Sequence, residues 1–275
     1  MVTPIVNRIT LSNGTSSNRV MVTRSMGKVG GKVMPIRVYP RKTSGELLNN
    51  YQGNIIAHLS GIYGTGFSSW TTVDNRYTFT KTSESQNLYW EGNKWVLTGR
   101  NEGLYADVLS DDRGMTEMTI EVVMGNYKAT SENHGIVLAL NSGASHNESM
   151  YGNCKGLRSA GGGLIASYYG LLQDKPSPDI NGFTGVKTIA FTNGSSTNSR
   201  VSYIIDGILT PSQNSLTPYT WPKTPTKFVV GGSGYDDGWN FGLKADIYAV
   251  RFHYGITPVE QLMANHLLDK KVYGF

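Results

Sequence analysis

Cysteine is nearly missing from this 275-residue chain: Cys154 stands alone. No intrachain disulfide can form, so the fold must rest on its packed core. A single thiol suits a reducing compartment. Charge is also scarce. Charged residues make up 16% and hydrophobic residues 39%, which excludes a disordered chain. No apolar run approaches the length of a membrane span, and the first residues lack a signal-peptide pattern. Folding in a reducing cytoplasm, or export by a route that needs no signal, is expected, and in an unsecreted protein the sequons at Asn13, Asn147 and Asn193 are chance occurrences. There is no repeat of fixed period.

Signatures of common chemistries are missing too. His134, His146, His253 and His266 have no metal-ligand spacing. Gly161-Gly162-Gly163 lacks the Lys and Ser/Thr of a phosphate loop. Cys154 has no His near it in sequence and reads as an incidental thiol. The net charge is +5, and eight basic residues from Arg8 to Lys42 precede the first acid, Glu46. These bases are scattered rather than consecutive, so nucleic acid is not the expected partner.

What is abundant is glycine, at 33 residues, and tyrosine, at 16. Many turns with aromatic and β-branched residues between them predict an all-β protein. Met118, Ile120, Val122 and Met124 alternate with Thr119, Glu121 and Val123, as in a sandwich strand with one face in the core. Glu121 is the only acid in that run. Further strands are expected at Ile55 to Ala57, Trp70 to Phe79, Leu88 to Val96, Ile136 to Leu140, Leu164 to Tyr169, Val186 to Thr192 and Val201 to Ile205. Asp206-Gly207 should close a hairpin. Ser142 to Gly163 and Gln173 to Gly185 read as loops. Residues 1–50 hold apolar pieces too short to bury a core of their own, and read as an extended arm. Residues 51–275 form the main domain.

The C-terminal stretch is the most informative. Phe228 to Val230 is apolar and breaks at Gly231-Gly232. A polar loop follows, with Tyr235, Asp236, Asp237, Trp239 and Asn240. The next run predicts a strand from Ala245 to Tyr254. Asp246, Tyr248, Val250 and Phe252 would share one face, with Ile247, Ala249, Arg251 and His253 on the other. Thr257, Pro258 and Glu260 form a capping-box pattern. Leu262, Met263, His266 and Leu267 then recur at helical spacing and should press onto the sheet.

Gly242, Ile247, Val250, Arg251 and Tyr254, with the helix after them, resemble the end of a laminin G-like domain of the concanavalin A-like lectin/glucanase superfamily. Tyr203 to Leu209, around Asp206-Gly207, is similar to that family's "Y-V-D-G" hairpin. Leu88 to Gly92 approximates its "L-x-F-D-G" pattern. The resemblance covers roughly Asn54 to Phe275. It implies a jelly-roll antiparallel β-sandwich with a short C-terminal helix, here preceded by an extended N-terminal arm. Glucanases of the superfamily hydrolyse with paired carboxylates in an E-x-D-x-E arrangement. That arrangement is missing here, so the chain is expected not to be an enzyme.

The resemblance also implies calcium at the sandwich rim, for which Asp236 and Asp237, with Asn240, are the local oxygen set. The competing reading of those residues is a solvated polar turn. Tyr235 and Trp239 could stack on sugar faces while Asp236, Asp237 and Asn240 take hydroxyls, or the rings could simply be packed. The expected role is a lectin-like domain of a virion protein, a tail, fibre or decoration component, recognising host-surface glycan. Its arm would meet other virion proteins, and a homo-oligomer is expected. The alternatives are a purely structural particle subunit or a bacterial carbohydrate-binding module.

Overall fold

The computed structural model describes residues 26–29, 32–35, 49–63, 68–81, 88–98, 103–115, 117–129, 134–141, 154–160, 162–168, 172–174, 176, 178, 180–193, 202–211, 225–232 and 244–275. The strands are β1 (Met26–Val29), β2 (Lys32–Pro35), β3 (Ile55–Ser60), β4 (Ser69–Thr71), β5 (Thr78–Lys81), β6 (Tyr89–Glu91), β7 (Lys94–Thr98), β8 (Leu104–Asp107), β9 (Met118–Lys128) and β10 (His134–Asn141). They continue as β11 (Cys154–Ala160), β12 (Gly163–Tyr168), β13 (Leu172–Asp174), β14 (Gly182–Phe183), β15 (Lys187–Asn193), β16 (Ser202–Ile205), β17 (Ile208–Thr210), β18 (Pro225–Val230) and β19 (Lys244–Tyr254). One helix, α1 (Val259–Tyr273), follows.

These strands make the expected all-β antiparallel sandwich. One sheet runs β13-β12-β11-β10-β18-β8-β5-β4. The other runs β17-β16-β15-β9-β19-β7-β6, with β14 pairing β9 and β3 pairing β19. We call them the first and second sheets. β1 and β2 pair with each other as a separate ribbon; the rest of residues 1–48 lies outside the described residues.

The interior follows from side-chain alternation. Met118, Ile120, Val122 and Met124 of β9 all enter the core. From β19 they meet Ile247, Val250 and Phe252. Phe252 stacks on Phe228 of the first sheet at 4.2 Å between ring centres, and on Phe79 at 6.4 Å. Two tyrosines tie the layers with polar tips. Tyr203 Oη accepts the Ala166 N–H at 2.6 Å, and Tyr127 Oη donates to Ser159 Oγ at 3.0 Å. Each ring buries its apolar body and still finds a partner across the gap.

Several expectations need correction. Trp70 to Phe79 is not one strand but the hairpin β4–β5. Its turn is set by Asp74, whose Oδ1 accepts from Thr72 Oγ1 at 2.6 Å and from the Arg76 N–H at 3.1 Å, while Asn75 takes φ of 61°. Leu88 to Val96 likewise folds back at Gly92, with φ of 65°, into β6 and β7. The stretch read as a loop before Gly163 contains β11, which pairs on both sides. β13 and β14 lie in or beside the second expected loop. The Asp206-Gly207 hairpin is as expected, with φ of 53° and 78°, the double left-handed turn that fits strand twist.

β19 departs from simple alternation. Its register against β9 shifts between Ile247 and Ala249. Tyr248 is the extra residue of a bulge, which reverses the phase. Ile247 therefore faces inward together with Val250 and Phe252, and not outward with Arg251. The helix differs too. It starts after Pro258, and no side chain caps it. Thr257 is buried instead, its N–H donating to Thr119 Oγ1 at 2.9 Å, so the sheet claims the residue that the capping box needed. Met263 and Leu267 point away from the sheet, 47% and 58% exposed. The face pressed onto it carries Leu262, Asn265, His266 and Asp269.

Candidate functional site

The half-polar helix face has a counterpart on the sheet. Thr119 and Glu121 of β9, with Arg251 and His253 of β19, lie on the outer side of the second sheet and are buried by α1. Leu262 packs there with Ala190 and Ile204. Arg251 stands at the centre. Its Nε donates to Glu121 Oε2 at 2.7 Å, and its two terminal nitrogens donate to Asp269 at 2.9 and 2.6 Å. Glu121 Oε2 also accepts from Asn265 Nδ2 at 2.9 Å and meets His253 Nε2 at 2.7 Å. Tyr51 covers the assembly. Its hydroxyl donates to Asp269 Oδ1 at 2.8 Å, and its ring lies 4.3 Å from the guanidinium carbon. His58 meets the same ring edge-on at 4.8 Å.

Burial alone would raise the Glu121 carboxyl, but the Arg251 guanidinium and the His253 contact outweigh it and hold Glu121 at about 2. Arg251 is pushed well above its ordinary value: its burial opposes charge, and Asp269 and Glu121 overcome that. Burial, helped by the Arg251 charge, drives His58 well below 6.5. Burial also raises Asp269, with Arg251 pulling the other way. Glu121 and Asp269 are two carboxylates in one site, but both are spent on the same guanidinium and both are closed from solvent. The arrangement braces α1 against the sandwich and offers no reacting atom to a substrate.

This brace makes stability depend on pH. His58 stays neutral in the fold but titrates near 6.5 when unfolded. The contribution is whole above 6.5 and is lost as pH falls toward the lower folded value. Stability should drop by about 1.4 kcal/mol per pH unit once only the unfolded chain takes the proton. Urea unfolding at pH 7.0, 6.0 and 5.0 measures it. A His58→Gln variant should flatten that slope, and an unchanged slope would clear His58 of the effect. Glu121 adds a second contribution, present in full above its unfolded value of 4.5 and lost as pH falls toward 2.

The expected binding residues Tyr235, Asp236, Asp237, Trp239 and Asn240, and with them the expected calcium ligands, lie outside the described residues. Their anchors do not. Gly231 donates its N–H to Ile136 O at 2.7 Å at the end of β18, and Lys244 opens β19. The run 233–243 therefore joins the two sheets. Its described flanks stand at the strand ends where β7 and β9 finish and β8 begins, since Lys244 pairs with Thr98 and Lys128 and Val230 pairs with Leu104.

Beside that anchor, α1 leaves part of the outer face open. Asp246 sits there, 5% exposed. Its Oδ2 accepts from Lys94 Nζ at 2.7 Å and from Asn126 Nδ2 at 2.6 Å. Asn126 has φ of 48° and occupies a register shift opposite Ala245. The bulge turns its amide onto Asp246, a device found where a strand must re-aim a side chain. Tyr248, extruded by the neighbouring bulge, sits edge-on to Tyr273 of α1 at 5.8 Å. Tyr89 pairs with Val96, which pairs with Asp246, so all three share this face. Tyr89 is 48% exposed. Sequence reasoning missed this group because its members come from four strands. The signals it did leave were Asn126 after Gly125, and an acid in an otherwise apolar strand.

With this geometry the chain can be compared with known proteins. No protein-family model and no curated protein matches it. Solved structures do. A Trypanosoma rangeli sialidase in complex with sialic acid aligns with a TM-score of 0.59 at 12% identity, over 79% of this chain and 33% of that one. The botulinum neurotoxin serotype D binding domain aligns with a TM-score of 0.51 at 13% identity, over 78% of this chain and 51% of that one. What they share with this chain is the fold. The chain spans about a third of the sialidase's length and half of the neurotoxin domain's. Among the described residues no helix is long and apolar enough to cross a membrane.

Proposed function

We propose that this chain is a non-catalytic, lectin-like binding domain of the laminin G-like kind, carried by a virion protein and recognising glycan on a host surface. One observation carries the non-catalytic part. Among the described residues, the densest group of ionisable side chains is sealed beneath α1, where Glu121 and Asp269 are both bound to Arg251. Recognition then belongs to the rim and the open outer face. The fold neighbours support the binding part of the reading: one is a sialidase in complex with sialic acid, the other a toxin's binding domain. The loop residues Tyr235, Asp236, Asp237, Trp239 and Asn240 provide the remaining contacts, with calcium at Asp236 and Asp237. A basic arm and a ribbon paired only with itself among the described residues suit docking onto other virion proteins.

A structural particle subunit is the second reading. It is favoured by Ile208 and Leu209, exposed at 69% and 56% on β17 at the end of the second sheet. Exposed apolar side chains on an edge strand invite a neighbour.

A broad glycan array probed with the full chain separates the two. Binding is expected, and Trp239→Ala should abolish it while leaving the thermal midpoint in place. An array with no ligand removes the lectin reading. A collapsed midpoint in Trp239→Ala would make Trp239 a packing residue.

A further inference from the structure

On the open face beside the loop anchor, two like charges stand opposite each other without a partner among the described residues. Lys128 of β9 and Lys244 of β19 are directly opposite each other, and both are exposed. Core residues Tyr127 and Ala245 adjoin them, so alternation puts both lysines on the outer side. Like charges at directly paired positions destabilise a sheet. Among the described residues neither forms an ion pair. The nearest described acid on their face, Asp246, is already taken by Lys94 at 2.7 Å. Glu91 is 4.0 Å from the same Lys94. Among the described residues this face thus holds three cations, Lys94, Lys128 and Lys244, against two carboxylates, and the excess sits at Lys128 and Lys244.

From this we infer an anion-recognising subsite between Lys128 and Lys244, made for an acidic sugar. The inference rests on the glycan-binding reading and narrows it to a chemical class: a saccharide carrying a carboxylate or a sulfate. The anionic group lies between the two ammonium groups, each donating charge-assisted hydrogen bonds. Two residues along β19, roughly 7 Å away, Asp246 has one oxygen fully used by Lys94 and Asn126 and a second oxygen left to accept a hydroxyl proton. The Asn126 amide oxygen takes another. Across the strands from Asp246, two strands or about 10 Å away, the exposed ring of Tyr89 is a stacking platform for the next sugar in the chain. An anion at one end and an apolar ring face at the other fit an acidic oligosaccharide of two or more units. Free phosphate or sulfate alone would use only the lysines.

The test uses the full chain and three matched oligosaccharides: carboxylated, sulfated and neutral. Calorimetric titration at low and high salt gives each affinity. An acidic form should bind at least tenfold more tightly than the neutral one and weaken as salt rises. The carboxylated and sulfated arms identify which anion is used. Lys128→Gln/Lys244→Gln should weaken acidic binding about tenfold or more and leave neutral binding unchanged. Its thermal midpoint should stay level or rise, because the repulsion is gone. Tyr89→Ala should weaken oligosaccharides and not the monosaccharide. Neutral and acidic forms binding alike would overturn the inference, as would full acidic affinity in the double lysine variant. If that variant binds normally while Trp239→Ala does not, the subsite is wrong and the glycan reading stands. If the unaltered chain binds no saccharide, both fall.

Discussion

An Arg251→Met variant is expected to lose about 3–5 kcal/mol of folding stability. The guanidinium is the common partner of Glu121 and Asp269, and all three side chains are closed from solvent. Met fills a similar volume but leaves two carboxylates without a counter-charge. The lost energy is mainly that of stranded charge, so removing both partners as well should recover much of it. Arg251→Lys should fall between the two. A single ammonium cannot reproduce a fork that reaches Glu121 through Nε and Asp269 through both terminal nitrogens. Urea unfolding followed by tryptophan fluorescence measures each variant. A loss below about 1 kcal/mol for Arg251→Met would place the cluster among weak surface pairs and refute its role as the brace of α1.

Trp70→Ala should cost a similar amount, about 3–5 kcal/mol, for a different reason. Trp70 is fully buried at the β4 edge of the first sheet. Its ring lies 6.2 Å from that of Trp95 in β7 of the second sheet. Truncation opens a cavity between the layers. It also leaves the Ser60 carbonyl without the indole N–H that now reaches it at 3.0 Å. The same unfolding measurement applies, and a loss of less than 1 kcal/mol would mean that the layers close over the gap. Trp70→Phe separates the terms, since it keeps most of the volume and removes only the hydrogen bond.

The sandwich was legible because its signals are local. Alternation in Met118 to Met124 requires only that one face be apolar. Asp206-Gly207 declares a turn by backbone chemistry alone. Paired segments such as β15 and β16 carried the same signature on both sides of a turn. Strand limits were less legible. Asp74 and Gly92 each bend the chain within a run whose flanking residues all favour extended structure.

The layer under the helix was hidden for a deeper reason. Glu121 and Arg251 are 130 residues apart, so each reads as an isolated charge in an apolar strand. Once paired across β9 and β19 they make a polar surface, and that surface selects Asn265 and Asp269 from the helix. Hydrophobic spacing favoured Met263 and Leu267 because it presumes an apolar partner. The bulge at Tyr248 was equally invisible. One extra residue inverts the face of everything after it, and no property of Tyr248 itself announces this. The open-face group around Asp246 depends on two such bulges, so it emerges only from the register of the sheet.

Recognition without bond-breaking is tested most directly by incubating the full chain with an acidic oligosaccharide. The ligand is followed by mass spectrometry while binding is titrated. Saturable binding with the saccharide recovered intact is the predicted result. A shortened or desialylated product, or no binding across carboxylated, sulfated and neutral forms, would contradict it.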